Sequence, residues 1–231
     1  GRLGDRWGGR SAGTWAAAAL GLGSSLWSAT ALHDTYHSAH VLAVLAVVWA
    51  LVLATRRRRR PAAAGLALGT AALARQPAAL AALPLAVLAG GGWSSAHRRR
   101  AAVTVLAATA LPFTLYLAIN TARFGSPLAT GYGAVRHHPR IAAEHAEHGA
   151  FSTAFVIRNL RVALLGRPLA VADVPYLVPD PEGMSLLLVS PWLFLALLPL
   201  LRPDRPGGRR LALACWFAVL AVGVPHLLYV N

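Results

Sequence analysis

The chain contains no lysine, one cysteine and only eight acidic residues among 231. The lone Cys215 excludes a disulfide framework within the chain and any zinc site built from cysteines. The basic residues are 22 arginines, and the formal net charge is +14. In a water-soluble protein that balance points to nucleic acid. Here the arginines stand in blocks between apolar runs, which argues against nucleic acid and for a membrane. Extended polar sequence is scarce, since 56% of residues are hydrophobic and the mean hydropathy is +0.53. Several apolar runs approach or reach the ~20 residues that span a bilayer. The class expected is all-α, a polytopic transmembrane helix bundle with a short helical hairpin and a long outer loop. No repeat, disordered tract, nucleophile triad, P-loop or dinucleotide fingerprint is visible. Arginine without lysine, beside abundant alanine and glycine, fits a GC-rich bacterial genome. The chain starts at Gly1 without a visible signal peptide and stops at Asn231 after an apolar run, so it is expected to be a single transmembrane domain cut from a longer protein.

Residues 56–100 organise the rest. They open with Arg56 to Arg60 and close with His97, Arg98, Arg99 and Arg100. Basic blocks beside spans stay on the cytoplasmic side, so the apolar chain between them must go in and come back. The expected form is a hairpin with legs 62–75 and 78–91, turning at Gln76-Pro77; the alternative is one longer crossing with the remainder in a loop. A 14-residue leg is about 21 Å long, shorter than a hydrocarbon core of about 30 Å. Gly65 and Gly69 on the first leg have the small-xxx-small spacing of closely packed helices. Further spans are expected at 14–31, 39–55, 101–122, 185–201 and 211–230, with 123–184 as the outer loop. Within that loop, 151–165 has the pattern of a helix lying on the membrane surface. The inner loops then hold 15 arginines against Asp5 and Asp204, whereas the outer loops hold equal numbers of arginines and acids. This asymmetry obeys the positive-inside rule and places a multi-pass protein in the bacterial plasma membrane with 123–184 outside.

Arg75 is left at depth, where a charge marks a functional site by default. One reading is an anion clamp, since the planar guanidinium fork binds phosphate or carboxylate oxygens in pairs. The other is a structural arginine, paired with an acid such as Asp34 or snorkelling to the surface. His33, His37 and His40 fall on one helical face beside Asp34, which suits either a metal or a polar cap on two spans. Asp34 is a candidate base or ligand-binding acid. His137, His138, His145 and His148, with Glu144 and Glu147, resemble a ligand set only loosely and read as a solvated face. Arg123 and the Arg158/Arg161 pair fall where spans meet headgroups, as lipid-phosphate contacts or interfacial anchors.

The order of motifs resembles bacterial membrane glycosyltransferases of the GT-C superfamily, the set that includes protein mannosyltransferase-like (family 39) and aminoarabinose-transferase-like enzymes. The pieces are Leu73-Ala74-Arg75-Gln76-Pro77, then Asn120 to Tyr132, then Pro179 to Leu186 leading to Ser190-Pro191, and finally Leu228-Tyr229. The resemblance implies an enzyme that takes a sugar from a polyprenyl-phosphate carrier at the outer leaflet and passes it to an acceptor there. It gives Arg75 and Arg123 the task of gripping the carrier phosphate, with Gln76, Tyr132 and His40 as further substrate-binding candidates. No resident cofactor is implied with certainty, and a divalent metal stays open. The family's catalytic acid lies in a first outer loop expected upstream of residue 1, so the fragment alone is expected to be inactive, with Asp34 as the substitute candidate. The partners implied are the lipid-linked sugar and membrane lipids, not nucleic acid. The alternatives are a transporter or flippase for an anionic or lipid-linked substrate, a polysaccharide polymerase or ligase, and a non-catalytic scaffold.

Overall fold

The computed structural model describes residues 13–22, 24, 26, 30, 35–56, 58–90, 95–129, 139–180, 182–201 and 206–230. The architecture is all-α. Helix α1 covers Gly13–Leu22, α2 Thr35–Thr55 and α3 Pro61–Ala74. A 3-10 turn over Gln76–Ala81 leads into α4, Ala82–Gly90. Then come α5 (Ala96–Phe124), α6 (Pro139–His148) and α7 (Val156–Leu165). Two-residue strands β1 (Leu169–Ala170) and β2 (Leu177–Val178) pair antiparallel, Leu169 opposite Val178. Short helices α8 (Leu186–Val189) and α9 (Leu198–Leu201) flank a 3-10 segment, Pro191–Leu197. The last helix, α10, is Pro206–Leu228.

Three helices are long and apolar enough to cross a membrane: His37–Thr55 within α2, α5, and Arg209–Leu228 within α10. Their packing is that of a membrane protein. The buried core is built largely of alanine, with Leu68 and Val105 the largest fully buried side chains, while Leu42, Leu45 and Trp49 of α2 are each at least half exposed. Small residues inside and large apolar residues outside is the pattern of helices packed in lipid.

The expected span 185–201 is corrected: it is broken into α8, the 3-10 segment and α9. Pro191 opens the 3-10 segment, and a proline within a helical run removes a backbone donor and clashes with the preceding turn. Of the expected span 14–31, the helix α1 covers only Gly13–Leu22; most of the remainder lies outside the described residues. The long segment after α5 carries α6, α7 and the small β-hairpin, so it is a structured appendage and not a plain loop.

The middle of the chain folds back on itself. Pro77 cannot donate to the α3 ladder, and the helix stops at Ala74, leaving Arg75 extended at φ −147°, ψ 105°. The return leg starts as a 3-10 turn, so regular α-helix begins only at Ala82. At the far end Arg59 Nη1 donates to Ala89 O at 3.1 Å, and a Cβ on Gly90 would sit 2.7 Å from Arg98 O. Both ends of the hairpin therefore lie beside the N-terminus of α5. α3 and α5 run side by side in the same direction. A side chain on Gly65 would strike Val105 O and Ala108, and one on Gly69 would meet Pro112 and Thr109 O at 2.7 Å. Thr109 Oγ1 reaches across to Gly65 O at 3.2 Å. The two glycines let the backbones touch, which fixes the depth at which the turn after Ala74 sits.

Candidate functional site

The site is built at the end of the bundle remote from the arginine blocks. Arg75 stands between two helical segments, its backbone N–H bonded to Ala71 O at 2.8 Å and its carbonyl accepting from Ala78 N at 3.0 Å. The side chain is half-buried, with Nε closed off from solvent. Next to it Gln76 Nε2 donates to the Tyr116 hydroxyl on α5 at 2.7 Å, and Phe113 stacks on Tyr116 with ring centroids 5.6 Å apart. That hydroxyl keeps its own proton for another acceptor.

His37 and His40 come from the first turns of α2, whose N-terminal end carries partial positive charge. His40 lies within Coulombic reach of Arg75, His37 and His226, Arg75 acting most strongly. His226 belongs to the last turn of α10, and α10 packs against both the 3-10 turn and α4. Its Nδ1 is 2.7 Å from Val222 O. A carbonyl only accepts, so this hydrogen bond requires the proton on Nδ1. One guanidinium and three imidazoles from three chain segments thus share a locality, with a phenol and a carboxamide beside them. Such a group can attract an anion and supply several charge-assisted hydrogen bonds.

The end of α10 is held from outside. Asn159 of α7 is buried, and its Nδ2 donates to Leu227 O at 3.0 Å and Tyr229 O at 2.8 Å. Ser152 N donates to Leu228 O at 2.8 Å and Val230 N to Ala150 O at 3.0 Å. These bonds satisfy carbonyls that a helix end leaves open and tie the appendage to the turn bearing His226. Within the appendage Arg158 pairs with Glu144 at 2.6 Å, and its guanidinium lies 5.4 Å from the Phe155 ring centre.

Of the residues singled out in the sequence, Arg75, Gln76 and His40 come together. Arg123 is exposed in the last turn of α5, its guanidinium 5.4 Å from the Phe124 ring centre; it lies about 10 Å farther along α5 than Tyr116 at 1.5 Å per residue. Asp34, Tyr132, His33, His137 and His138 lie outside the described residues. In the second histidine group Glu144 is engaged by Arg158, and His148 meets Glu147 at 3.6 Å and Phe155 edge-on. Among the described residues no set of three or more His, Cys, Asp or Glu is placed to hold a metal ion.

Sequence reasoning missed His226, Tyr116 and Asn159. His226 carried a signal, an ionisable residue near the end of an apolar run. Tyr116 and Asn159 carried none, because their roles depend on which helix lies opposite. No protein-family profile, curated protein or solved structure matches this chain.

Proposed function

We propose that this chain is part of a GT-C-type membrane glycosyltransferase, moving a sugar from a polyprenyl-phosphate carrier to an acceptor on the outer side of the bacterial plasma membrane. The supporting observation is the grouping of Arg75 with His37, His40 and His226 at the break of a hairpin whose legs are too short to cross. The sugar-loaded carrier is a phosphodiester with one negative charge, and it arrives at headgroup depth on a lipid tail. The Arg75 fork would grip it, and the imidazoles would supply further donors. As the sugar leaves, charge grows on the phosphate, and preorganised donors in a site of low dielectric favour that state over the ground state. The acceptor hydroxyl needs a base; Asp34 is the candidate in this chain, and the motif resemblance implies another upstream. The positive-inside rule supports the orientation, because the blocks at 56–60 and 97–100 lie together at the end opposite the site.

The test uses purified protein in mild detergent, with a short polyprenyl phosphate and the matching uncharged alcohol. The phosphate should bind more tightly than the alcohol. Arg75→Ala should weaken the phosphate alone by about tenfold or more, the equivalent of one charge-assisted hydrogen bond. Equal binding of phosphate and alcohol by the unaltered protein defeats the reading. The broken hairpin also suits a transporter, where interrupted helices frame a substrate site. Flux of the lipid-linked sugar across proteoliposomes without sugar transfer would favour that alternative.

A further inference from the structure

At the other end of the bundle, two arginine blocks some forty residues apart in sequence become one surface. The hydrogen bond from Arg59 to Ala89 O and the close approach of Gly90 to Arg98 O bring residues 58–60, 89–90 and 98–100 together. Arg56, Arg58, Arg59, Arg60, Arg98, Arg99 and Arg100 are all exposed. We infer that these seven arginines form a single docking surface for the headgroups of anionic phospholipids in the adjoining leaflet. This does not depend on the proposed enzymatic activity.

Three observations carry the inference. The first is charge without relief. The described acids Glu144, Glu147, Asp173, Asp180 and Glu182 all belong to the appendage that is tied to the opposite end. No ion pair involves Arg56, Arg58, Arg60, Arg99 or Arg100 among the described residues. A guanidinium does not deprotonate in a protein, so an external anion would ease the crowding of these cations. Arg59 shows the form such relief takes locally, donating to a carbonyl at the end of α4.

The second is level. Arg56 directly follows the last residue of α2, and Arg98 to Arg100 occupy the first turns of α5. Both positions adjoin apolar helix surface, which is where a bilayer places its phosphates.

The third is continuity along one helical stripe. Arg99 and Arg100 lie four and three residues before Val103, so the three share a face of α5, and Val103 is 57% exposed. A phospholipid has that same sequence of chemistry, phosphate above and acyl chain below. A nucleic acid or an acidic peptide has no use for the apolar part of the stripe. The topological rule for basic loops needs only their charge and makes no demand that separate blocks converge. Convergence instead produces a multidentate surface, and guanidinium forks match phosphate oxygens in pairs.

The experiment compares the thermal stability of the purified protein with added phosphatidylglycerol and with phosphatidylcholine. Phosphatidylglycerol should raise the melting temperature clearly more. The triple substitutions R98Q/R99Q/R100Q and R56Q/R58Q/R60Q should each lose more than half of that difference. The corresponding lysine triples should keep most of it; Arg59 is left in place because it braces the hairpin. If a glutamine triple does not fold, raising salt from about 0.1 M to about 1 M on the unaltered protein serves instead. That change shortens the Debye length from about 10 Å to about 3 Å and should erase most of the preference. Equal stabilisation by the two lipids overturns the proposal, and so does a preference that survives in the glutamine triples or in high salt.

Discussion

The two ends of the bundle use the same side chain to opposite effect. At one end seven arginines stand exposed around the mouth of the hairpin. At the other a single arginine is half-enclosed at the hairpin's bend, with three histidines nearby. The first group works by number: each charge is solvated and screened, and each one alone matters little. Arg75 works by placement, because interactions of a half-buried group are stronger than those of an exposed one and removal of one partner is felt. The lesson is that exposed arginines can act together as a charged surface, whereas charge depth selects the residue on which ligand chemistry can depend.

Breaking the packing that sets this depth should have the largest effect. Gly69→Leu places a branched side chain where Pro112 and Thr109 O leave no room for even a methyl group. We expect a loss of about 3 kcal/mol or more of stability, at the upper end of overpacking costs, seen as early unfolding in denaturant. Little change would mean that α3 and α5 do not touch along Gly65 and Gly69.

A second expected outcome concerns the bonds that hold the end of α10. Asn159→Leu removes the donors to Leu227 O and Tyr229 O at half-buried positions. The expected cost is about 1–3 kcal/mol, and hydrogen exchange should quicken in the last turn of α10 more than in α2. Uniform quickening throughout the bundle would assign Asn159 a general packing role instead.

The contrast between the ends is sharpened by Arg75→Lys. Charge is kept and the planar fork is lost, so phosphate affinity should fall by roughly fivefold, less than for alanine. Lys in place of Arg58 should leave that affinity unchanged. If lysine serves equally well at position 75, the site reads charge alone, and the distinction between number and placement fails. The smallest effect is expected from His226→Ala. It removes an imidazole at the rim of the group whose Nδ1–H is already bound to Val222 O, and should cost no more than about two- to threefold in phosphate affinity, the value of a weak hydrogen bond.

Much of this was legible in the residues because it depends on local composition. Apolar runs of bilayer length announce helices, and arginine blocks announce which helix ends lie together. Pro77 after Arg75-Gln76 announces a break, and Gly65 with Gly69 announces a close contact. Other features were not legible. The 185–201 run has the apolar content of a span, yet Pro191 and its neighbours divide it into short pieces. The contact of Gln76 with Tyr116 links residues 40 apart, and that of Asn159 with Tyr229 links residues 70 apart. Nothing in either stretch specifies the other.

The sequence by itself determined that this is an all-α membrane chain, polarised by arginine, with one charged residue inserted at a helix break. Those properties follow from the transfer energies of side chains and from proline's missing donor, which act wherever the chain goes. Tertiary structure alone decided the company Arg75 keeps. His226 reaches the Arg75 locality because α10 packs against the hairpin turn and because Asn159 holds the end of that helix. That outcome depends on how helix surfaces fit together, and a linear order of residues does not contain it.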